Sequence, residues 1–166
     1  RMSVPPVLVL GSTSRYRREL LERLRLPFES MAPLVDESPL HGETPAALAL
    51  RLALAKAREV ASRQGDAVVI GSDQVADLDG TSIGKPGTHE RATAQLQAMR
   101  GRTIVFQTAV AVVRRATAYE QVRLAAVTVK FRSLTDAEID HYLRTEQPYD
   151  CAGSAKCETL GIALLE

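Results

Sequence analysis

Two short apolar runs, each followed at once by a glycine, constrain most strongly what this chain can fold into. Residues 7–10 and 67–70 are continuous apolar segments, ended by Gly11 and Gly71. An uninterrupted apolar run of this length, closed by a turn-forming residue, is typical of a buried strand. Segments with helical periodicity follow both runs, so the alternation predicts a mixed α/β fold.

Four helices are predicted where capping residues precede apolar residues at helical spacing. The second begins with Thr44 and Pro45, a cap followed by proline at the first helical position. The fourth begins with a capping box formed by Thr135 and Glu138. The expected bounds of the helices are residues 16–26, 45–63, 88–101 and 135–145.

The remaining segments are predicted as long strands and as loops. Residues 103–113 and 119–131 are β-like runs, and prolines make residues 27–43 loop-like. We expect residues 71–73 to end the second buried strand. Residues 161–166 are apolar and strand-like, and because the sequence stops within this run we expect further C-terminal residues to be missing from it.

Composition excludes several classes of protein. The 166 residues suffice for one domain, and a net charge of +1 creates no field that would draw the chain to nucleic acid or to an anionic membrane. No apolar run reaches the roughly 18–20 residues of a membrane span. With only two cysteines, Cys151 and Cys157, and three scattered histidines, neither a disulfide framework nor a structural zinc site is expected. We expect a cytoplasmic protein.

The first two polar clusters of interest follow the first apolar run and lie in the proline-rich loop. Ser12 to Ser14 at a helix start, with Arg17, could form an anion site, because backbone N–H groups there lack partners. The alternative is an ordinary helix cap with solvated arginines. Asp36 and Glu37 offer the carboxylates that a hard divalent cation prefers, and the alternative is a plain surface loop.

Two further clusters and one helical lysine complete the set of candidates. Asp73, after the second buried strand, could ligate a metal or activate water, or could simply cap the next turn. Lys85, held between Gly84 and Pro86, could contact a phosphate, although the spacing of a P-loop is absent. Lys56 lies among apolar residues of the long helix, and its alternative is a solvated position.

Taken together, carboxylates, cations and a hydroxyl-rich helix start indicate phosphoryl chemistry with a metal. No histidine lies in a strand-end motif, so a Ser-His-Asp triad is not expected. A Rossmann-type nucleotide-binding domain is a weaker alternative, because its glycine fingerprint is absent.

Six stretches of the sequence, in order and spread over nearly the whole chain, resemble the Maf family of nucleotide pyrophosphatases. These stretches are residues 8–21, 33–37, 52–57, 70–74, 84–86 and 151–161. Three positions resemble the YceF-like branch of that family, the 7-methyl-GTP pyrophosphatases: Tyr16, Gln74 and Glu158. Gly11 and Arg15 depart from the family pattern of alanine and proline.

The resemblance implies a fold similar to that of the inosine-triphosphate pyrophosphatases. This is an elongated mixed sheet flanked by helices in two lobes with a central cleft, here as a single domain over residues 1–166. Family members often form homodimers, and a final loop and helix normally follow the position of Glu166. The implied reaction is hydrolysis of the α–β phosphate bond of 7-methyl-GTP to 7-methyl-GMP and pyrophosphate, a nucleotide-pool sanitation activity that requires Mg²⁺ or Mn²⁺.

Residue roles also follow from the resemblance. Asp73 would be the general base or would hold a metal-bound water, and Glu37 would help to bind the cation. The residues expected to contact the phosphates of a nucleoside triphosphate are Ser12, Arg17, Lys56 and Lys85. Those expected to select the base are Tyr16, Gln74 and Glu158. Alternatives are a dTTP/UTP or broad-specificity pyrophosphatase and, from another class, a nucleotide-binding regulator of septum formation and cell division.

Overall fold

A computed structural model describes residues 4–154 together with Leu164 and Leu165. The α-helices of this described part are α1 (Arg15–Glu22), α2 (Pro45–Arg63), α3 (His89–Met99) and α4 (Asp136–Glu146). Its strands are β1 (Leu8–Leu10), β2 (Glu29–Ser30), β3 (Val68–Leu78), β4 (Thr81–Ile83), β5 (Thr103–Arg114) and β6 (Tyr119–Lys130).

The strands form one mixed sheet. Their order is β2-β1-β3-β5-β6, and β4 pairs with β3 off this path. β1 runs parallel to both β2 and β3, with Val9 opposite Glu29 on one side and Val69 on the other. β4 is antiparallel to β3, with Asp77 opposite Ser82. The predicted mixed α/β fold is therefore confirmed.

Most of the predicted helix bounds agree with the structure. α2 has the predicted bounds, and the capping box of α4 is present, with Thr135 and Glu138 each accepting from the other's backbone N–H. α1 is shorter than predicted and ends at Glu22. Leu24 and Leu26, the apolar residues expected to extend it, are 62% and 54% exposed, so continuing the helix would bury little apolar surface.

The prediction that residues 71–73 end the second buried strand is wrong, because β3 continues through them to Leu78. Gly71 does not break the strand here. A Cβ at this position would overlap with the carbonyl oxygen of Ala53 and lie 2.7 Å from the nitrogen of Ala57. The glycine therefore allows the backbone of β3 to approach α2 closely.

Two short strands lie in segments that were not predicted as strands. β2 occurs within residues 27–43, and β4 occurs between Gly80 and Gly84. Strands of two or three residues carry too little periodicity for sequence to reveal them. Part of the predicted C-terminal strand, residues 161–166, lies outside the described residues, but Leu165 forms an antiparallel bridge with Phe131.

The chain divides into two compact units. The first contains residues 1–73 and 108–125, and the second contains residues 74–107 and 126–166. Buried residues of the first unit include Val9, Leu52, Val60 and Val69, which bring α2 against β1 and β3. The core of the second unit contains larger side chains, among them Leu96, Ile104, Phe131, Ile139 and Leu143.

Helix α2 is the longest helix in the described residues, with 19 residues. Its buried face includes Leu48, Leu52, Ala53 and Ala57, whereas Ala47 is exposed, and charged side chains interrupt the sequence from Arg51 onwards. Within residues 4–154 and 164–165, no helix is both long and apolar enough to cross a membrane.

Candidate active site

The hydroxyl-rich segment after β1 forms the start of helix α1. Ser12 is buried, and its Oγ accepts a hydrogen bond from the backbone nitrogen of Ser14 at 3.0 Å. The Oγ of Ser14 in turn accepts from the backbone nitrogen of Arg17 and caps the helix. A cavity of about 400 Å³ opens here, and its lining includes Ser12, Ser14, Arg18 and Ser30. The predicted capping residues therefore line this cavity.

Three of the predicted site residues meet at one point of the first unit. The Nζ of Lys56 lies 2.6 Å from Oε1 of Glu37 and 3.0 Å from Oδ1 of Asp73. The side chains of Lys56 and Asp73 are 4% and 8% exposed, whereas that of Glu37 is 50% exposed. One ammonium therefore joins a buried carboxylate to a carboxylate at the surface.

The close approach of α2 and β3 explains this meeting. Gly71 and Asp73 are two residues apart on β3, so both project towards the same face of the sheet. Ala53 lies over Gly71, and Lys56 follows it by one helical turn, on the same side of α2. Glycine at position 71 thus brings Lys56 within hydrogen-bonding distance of Asp73.

The location of Asp73 differs from its prediction. It was expected at the end of a strand, but it is the sixth residue of β3, and β3 continues for five more residues. A buried carboxylate within a strand requires a charged partner, because its desolvation is costly. Lys56 supplies that partner and is itself buried, so the solvated alternative for this lysine is wrong. Its role towards a phosphate stays a prediction.

The electrostatics of this cluster involve a fourth residue, Arg17. Burial raises the pKa of the Asp73 carboxyl, while the charges of Lys56 and Arg17 act in the opposite direction. Partial burial lowers the pKa of Arg17, and its attraction to Asp73 and Glu37 counteracts this effect. Arg17 is thus close enough to interact with both carboxylates, and two cations balance two anions.

The two carboxylates fit a divalent cation. Oxygens of Glu37 and Asp73 converge within 3.0 Å of a single point, now held by the ammonium of Lys56. Carboxylate oxygens suit hard cations such as Mg²⁺, which often take only one or two protein carboxylates together with water and substrate phosphates. In the part of the chain that the structure describes, no group of three or more His, Cys, Asp or Glu residues could hold a metal.

The remaining predicted site residues are Tyr16, Gln74, Lys85 and Glu158. Tyr16 is half-buried on α1, and Gln74 follows Asp73 on β3 with an exposed side chain. Lys85 is exposed in the second unit, and Glu158 lies outside the described residues. The turn that carries Lys85 is anchored at Gly84, whose carbonyl accepts hydrogen bonds from Gln95 Nε2 at 3.0 Å and from the backbone nitrogen of Gly153 at 3.2 Å.

Sequence reasoning missed the side chains of α2 that bind the loop carrying Glu37. Arg51 pairs with Glu43, and Glu59 accepts from the backbone nitrogen of Leu34. The pairing of Glu59 with Arg63 has the i,i+4 spacing that a sequence can reveal. The pairing of Arg51 with Glu43 crosses the start of the helix, so no periodic signal predicts it.

Comparisons with known proteins agree with the resemblance seen in the sequence. The profile of the Maf-like protein family matches residues 7–166. A 7-methyl-GTP pyrophosphatase of Polaromonas sp. strain JS666 is 72% identical over 159 residues, covering 96% of this chain and 73% of that protein.

Two further relatives carry the same name. The protein of Albidiferax ferrireducens is 66% identical, over 96% of this chain and 80% of that protein. The protein of Thiobacillus denitrificans is 60% identical, over 97% of this chain and 80% of that protein. Because the family match and these identities extend over nearly all of its residues, the chain belongs to the Maf-like protein family.

Proposed function

We propose that this chain is a metal-dependent nucleotide pyrophosphatase that hydrolyses the α–β phosphate bond of 7-methyl-GTP. The observation that carries the proposal is the convergence of Glu37 and Asp73 on the Nζ of Lys56. This arrangement occurs in a chain with relatives, one of them 72% identical, that are named 7-methyl-GTP pyrophosphatase. The products are 7-methyl-GMP and pyrophosphate, and the biological role is the removal of a modified nucleotide from the pool.

In the proposed reaction, a water oxygen forms a bond to the α-phosphorus. The bond from that phosphorus to the α–β bridging oxygen breaks, and its electron pair leaves on pyrophosphate. Asp73 accepts the proton of the attacking water, or holds the water that attacks. The raised pKa of Asp73 suits the first role, because a base is most effective when its pKa approaches the working pH.

Cationic side chains would neutralise the triphosphate as negative charge moves to the leaving group. Arg17 offers a planar, permanently charged guanidinium beside the carboxylates, and Lys56 offers a buried ammonium. Lys85 is the third proposed cation. Ser12 would donate its hydroxyl to a phosphate oxygen at the start of α1, where helix geometry favours anions.

Glu37 and Asp73 are the residues that would hold Mg²⁺ or Mn²⁺. When bound, such an ion supplies positive charge for the phosphates and lowers the pKa of a water that it binds. The half-exposed position of Glu37 suits a ligand that must meet both solvent and substrate. The remaining positions around the ion would be filled by water and phosphate oxygens.

Three residues are proposed to select the base: Tyr16, Gln74 and Glu158. A carboxylate matches the N1–H and N2–H donors on the edge of guanine. Methylation at N7 makes the ring cationic, so both an aromatic side chain and a negative charge nearby gain in attraction. Glu158 and Tyr16 would therefore favour 7-methylguanine over a pyrimidine.

The test is pyrophosphate release from 7-methyl-GTP, GTP, UTP, dTTP and ITP, each with Mg²⁺, with Mn²⁺ and with EDTA. We expect metal-dependent release that is highest with 7-methyl-GTP. Higher release from UTP and dTTP would retain the reaction and overturn the substrate. Binding of nucleotide without any release would instead favour a nucleotide-binding regulator of cell division.

A further inference from the structure

The segment that carries Glu37 is a loop with little apolar anchorage. We call residues 31–43 the Glu37 loop. Its Leu34 and Leu40 are 73% and 58% exposed, Met31, Pro33 and Val35 are only partly buried, and Glu37 itself is exposed. Because no apolar side chain of this loop is fully buried, polar contacts contribute strongly to where the Glu37 carboxylate lies.

One set of polar contacts lies after Glu37 in the sequence. The guanidinium of Arg51, on α2, donates from Nε to Oε2 of Glu43 at 2.6 Å and from Nη2 to Oε1 at 2.9 Å. The same Nη2 donates to the carbonyl oxygen of Ser38 at 3.1 Å. Glu43 also accepts from the backbone nitrogen of Leu40 at 3.1 Å. Arg51 thus holds the residue that directly follows Glu37.

A second set of contacts lies before Glu37. Oε1 of Glu59, also on α2, accepts from the backbone nitrogen of Leu34 at 2.6 Å. Arg63 pairs with Glu59 through Nε and Nη2 and donates from Nη2 to the carbonyl oxygen of Ala32 at 2.7 Å. The backbone of the Glu37 loop is therefore bound to the same helix on both sides of Glu37.

We propose that Arg51 and Glu59 are positioning residues that hold the Glu37 loop on α2 and thereby fix the Glu37 carboxylate beside Asp73 for cation binding. This inference rests on the proposed function, in which Glu37 and Asp73 hold the metal. Lys56 lies on the same helix, so α2 carries both sets of contacts to the Glu37 loop and also the residue that joins the two carboxylates.

These contacts reach the backbone close to Glu37 on both sides. Arg51 and Glu59 bond to backbone groups of Ser38 and Leu34, within three residues of Glu37. The pair of Arg51 with Glu43 is partly buried, with side chains 31% and 8% exposed, so its loss also costs stability, which the urea midpoints measure separately from Mn²⁺ affinity. Loss of either contact would let the loop, and with it the Glu37 oxygen, leave the position 2.6 Å from Lys56.

The experiment measures Mn²⁺ affinity by titration of the nucleotide-free, full chain, without turnover. The test variants are Arg51→Met and Glu59→Ala, and Glu37→Gln serves as the reference for loss of a ligand. The matched control is Arg58→Met, because Arg58 lies on the same helix and makes an equally short two-point pair with Glu120, away from the Glu37 loop. Unfolding midpoints in urea report the stability of every variant.

We expect Arg51→Met and Glu59→Ala each to weaken Mn²⁺ binding by about tenfold, as for other residues that orient metal ligands. Arg58→Met should leave the Kd for Mn²⁺ unchanged even where its urea midpoint falls equally. Arg51→Lys should recover only part of the affinity, because a lysine keeps the charge but not the two-point geometry. In turnover assays, the Mn²⁺ concentration for half-maximal rate should rise with the Kd.

The outcomes separate the two proposals. Weaker Mn²⁺ binding in Glu37→Gln, with unchanged binding in both Arg51→Met and Glu59→Ala, would overturn the positioning roles alone. Unchanged binding in Glu37→Gln would instead remove Glu37 from the metal site and contradict the proposed function there. Should Arg51→Met fail to fold, Arg51→Lys and Glu59→Ala still decide the question.

Discussion

Lys56 and Asp73 form a buried ion pair between α2 and β3, with Nζ 3.0 Å from Oδ1. The same Nζ lies 2.6 Å from Glu37, so one ammonium stands between the two carboxylates that are proposed to bind the cation. Lys56 therefore occupies the region in which a divalent ion would meet both oxygens. An incoming cation must share these oxygens with the lysine or displace it from one of them.

This competition predicts that Lys56→Met binds Mn²⁺ more tightly than the unmodified protein. Removing a positive charge that lies about 4 Å from the bound ion relieves a repulsion of several kcal/mol at an intermediate dielectric. We therefore expect the Kd for Mn²⁺ to fall by about tenfold or more. Turnover should nevertheless drop, because the triphosphate loses a cation. Titration with Mn²⁺, followed by single-turnover hydrolysis, measures both effects.

The matched control for this variant is again Arg58→Met, which removes one positive charge from the same helix at a pair with Glu120. This control should change neither the Kd for Mn²⁺ nor the rate of single-turnover hydrolysis. Weaker Mn²⁺ binding by Lys56→Met would mean that the lysine organises the carboxylates more than it repels the ion.

Asp73→Asn should reduce kcat by about 100-fold or more, the usual contribution of a positioned general base, while the protein remains folded. Asparagine keeps the shape of the side chain and cannot accept the proton. Steady-state pyrophosphate release at saturating 7-methyl-GTP measures this kcat. A kcat near that of the unmodified protein would exclude Asp73 from the chemistry.

The same substitution should change how stability depends on pH. Burial raises the pKa of Asp73 in the folded state above its ordinary value of 3.8. The folded state therefore holds this proton more tightly than the unfolded state, and stability falls as pH rises from near the ordinary pKa to the raised one. Asparagine does not titrate in this window. As pH increases, the free energy of unfolding of Asp73→Asn should therefore rise relative to that of the unmodified protein. Urea unfolding in the presence of EDTA measures both. An opposite trend would contradict the raised pKa of Asp73.

Much of the fold was predictable because local signals and packing agree. Thr44 and Pro45 start α2 where predicted, since capping and proline geometry act within one turn. Gly71 shows the limit of this reasoning. As a local signal it indicates a strand end, yet in the structure it lies inside β3, where contact with α2 rather than backbone freedom requires a residue without a side chain.

The candidate site was predictable as a set of residue types, whereas its connections were not. Sequence placed Lys56 on a helix beside the apolar residues Leu52, Ala53, Ala57 and Val60, without deciding between a buried and a solvated side chain. The pairing with Asp73 depends on how closely α2 approaches β3, which is a tertiary property. The contacts of Arg51 with the Glu37 loop depend in the same way on a loop path that has no periodicity.

Gly71→Ala should destabilise the protein, because the new Cβ would overlap with the carbonyl of Ala53 and press on the backbone of Ala57. Backbone atoms in a packed helix cannot move aside as a side-chain end can, so we expect a loss of about 1–3 kcal/mol or more. It should also separate Lys56 from Asp73 and lower turnover in the protein that remains folded. Urea unfolding and activity at low temperature measure the two effects.

Gly84→Ala is the control for this substitution. Gly84 has open space around its Cβ position and no left-handed backbone angle, so alanine there should leave the urea midpoint unchanged. Equal midpoints for Gly71→Ala and the unmodified protein would show that α2 and β3 can separate without loss of stability, which would contradict their close packing.

Glu158→Gln should lower kcat/KM for 7-methyl-GTP far more than for UTP. The carboxylate is proposed to accept hydrogen bonds from the guanine edge and to offset the positive charge of the methylated ring. Charge-assisted hydrogen bonds contribute about 1.5–3 kcal/mol, which corresponds to a loss of about tenfold or more for 7-methyl-GTP. Uracil carries neither the charge nor the same pair of donors.

Glu90→Gln, at an exposed glutamate in the first turn of α3, controls for the loss of a negative charge. Equal losses on 7-methyl-GTP and UTP would remove Glu158 from base selection and leave that role to Tyr16 and Gln74.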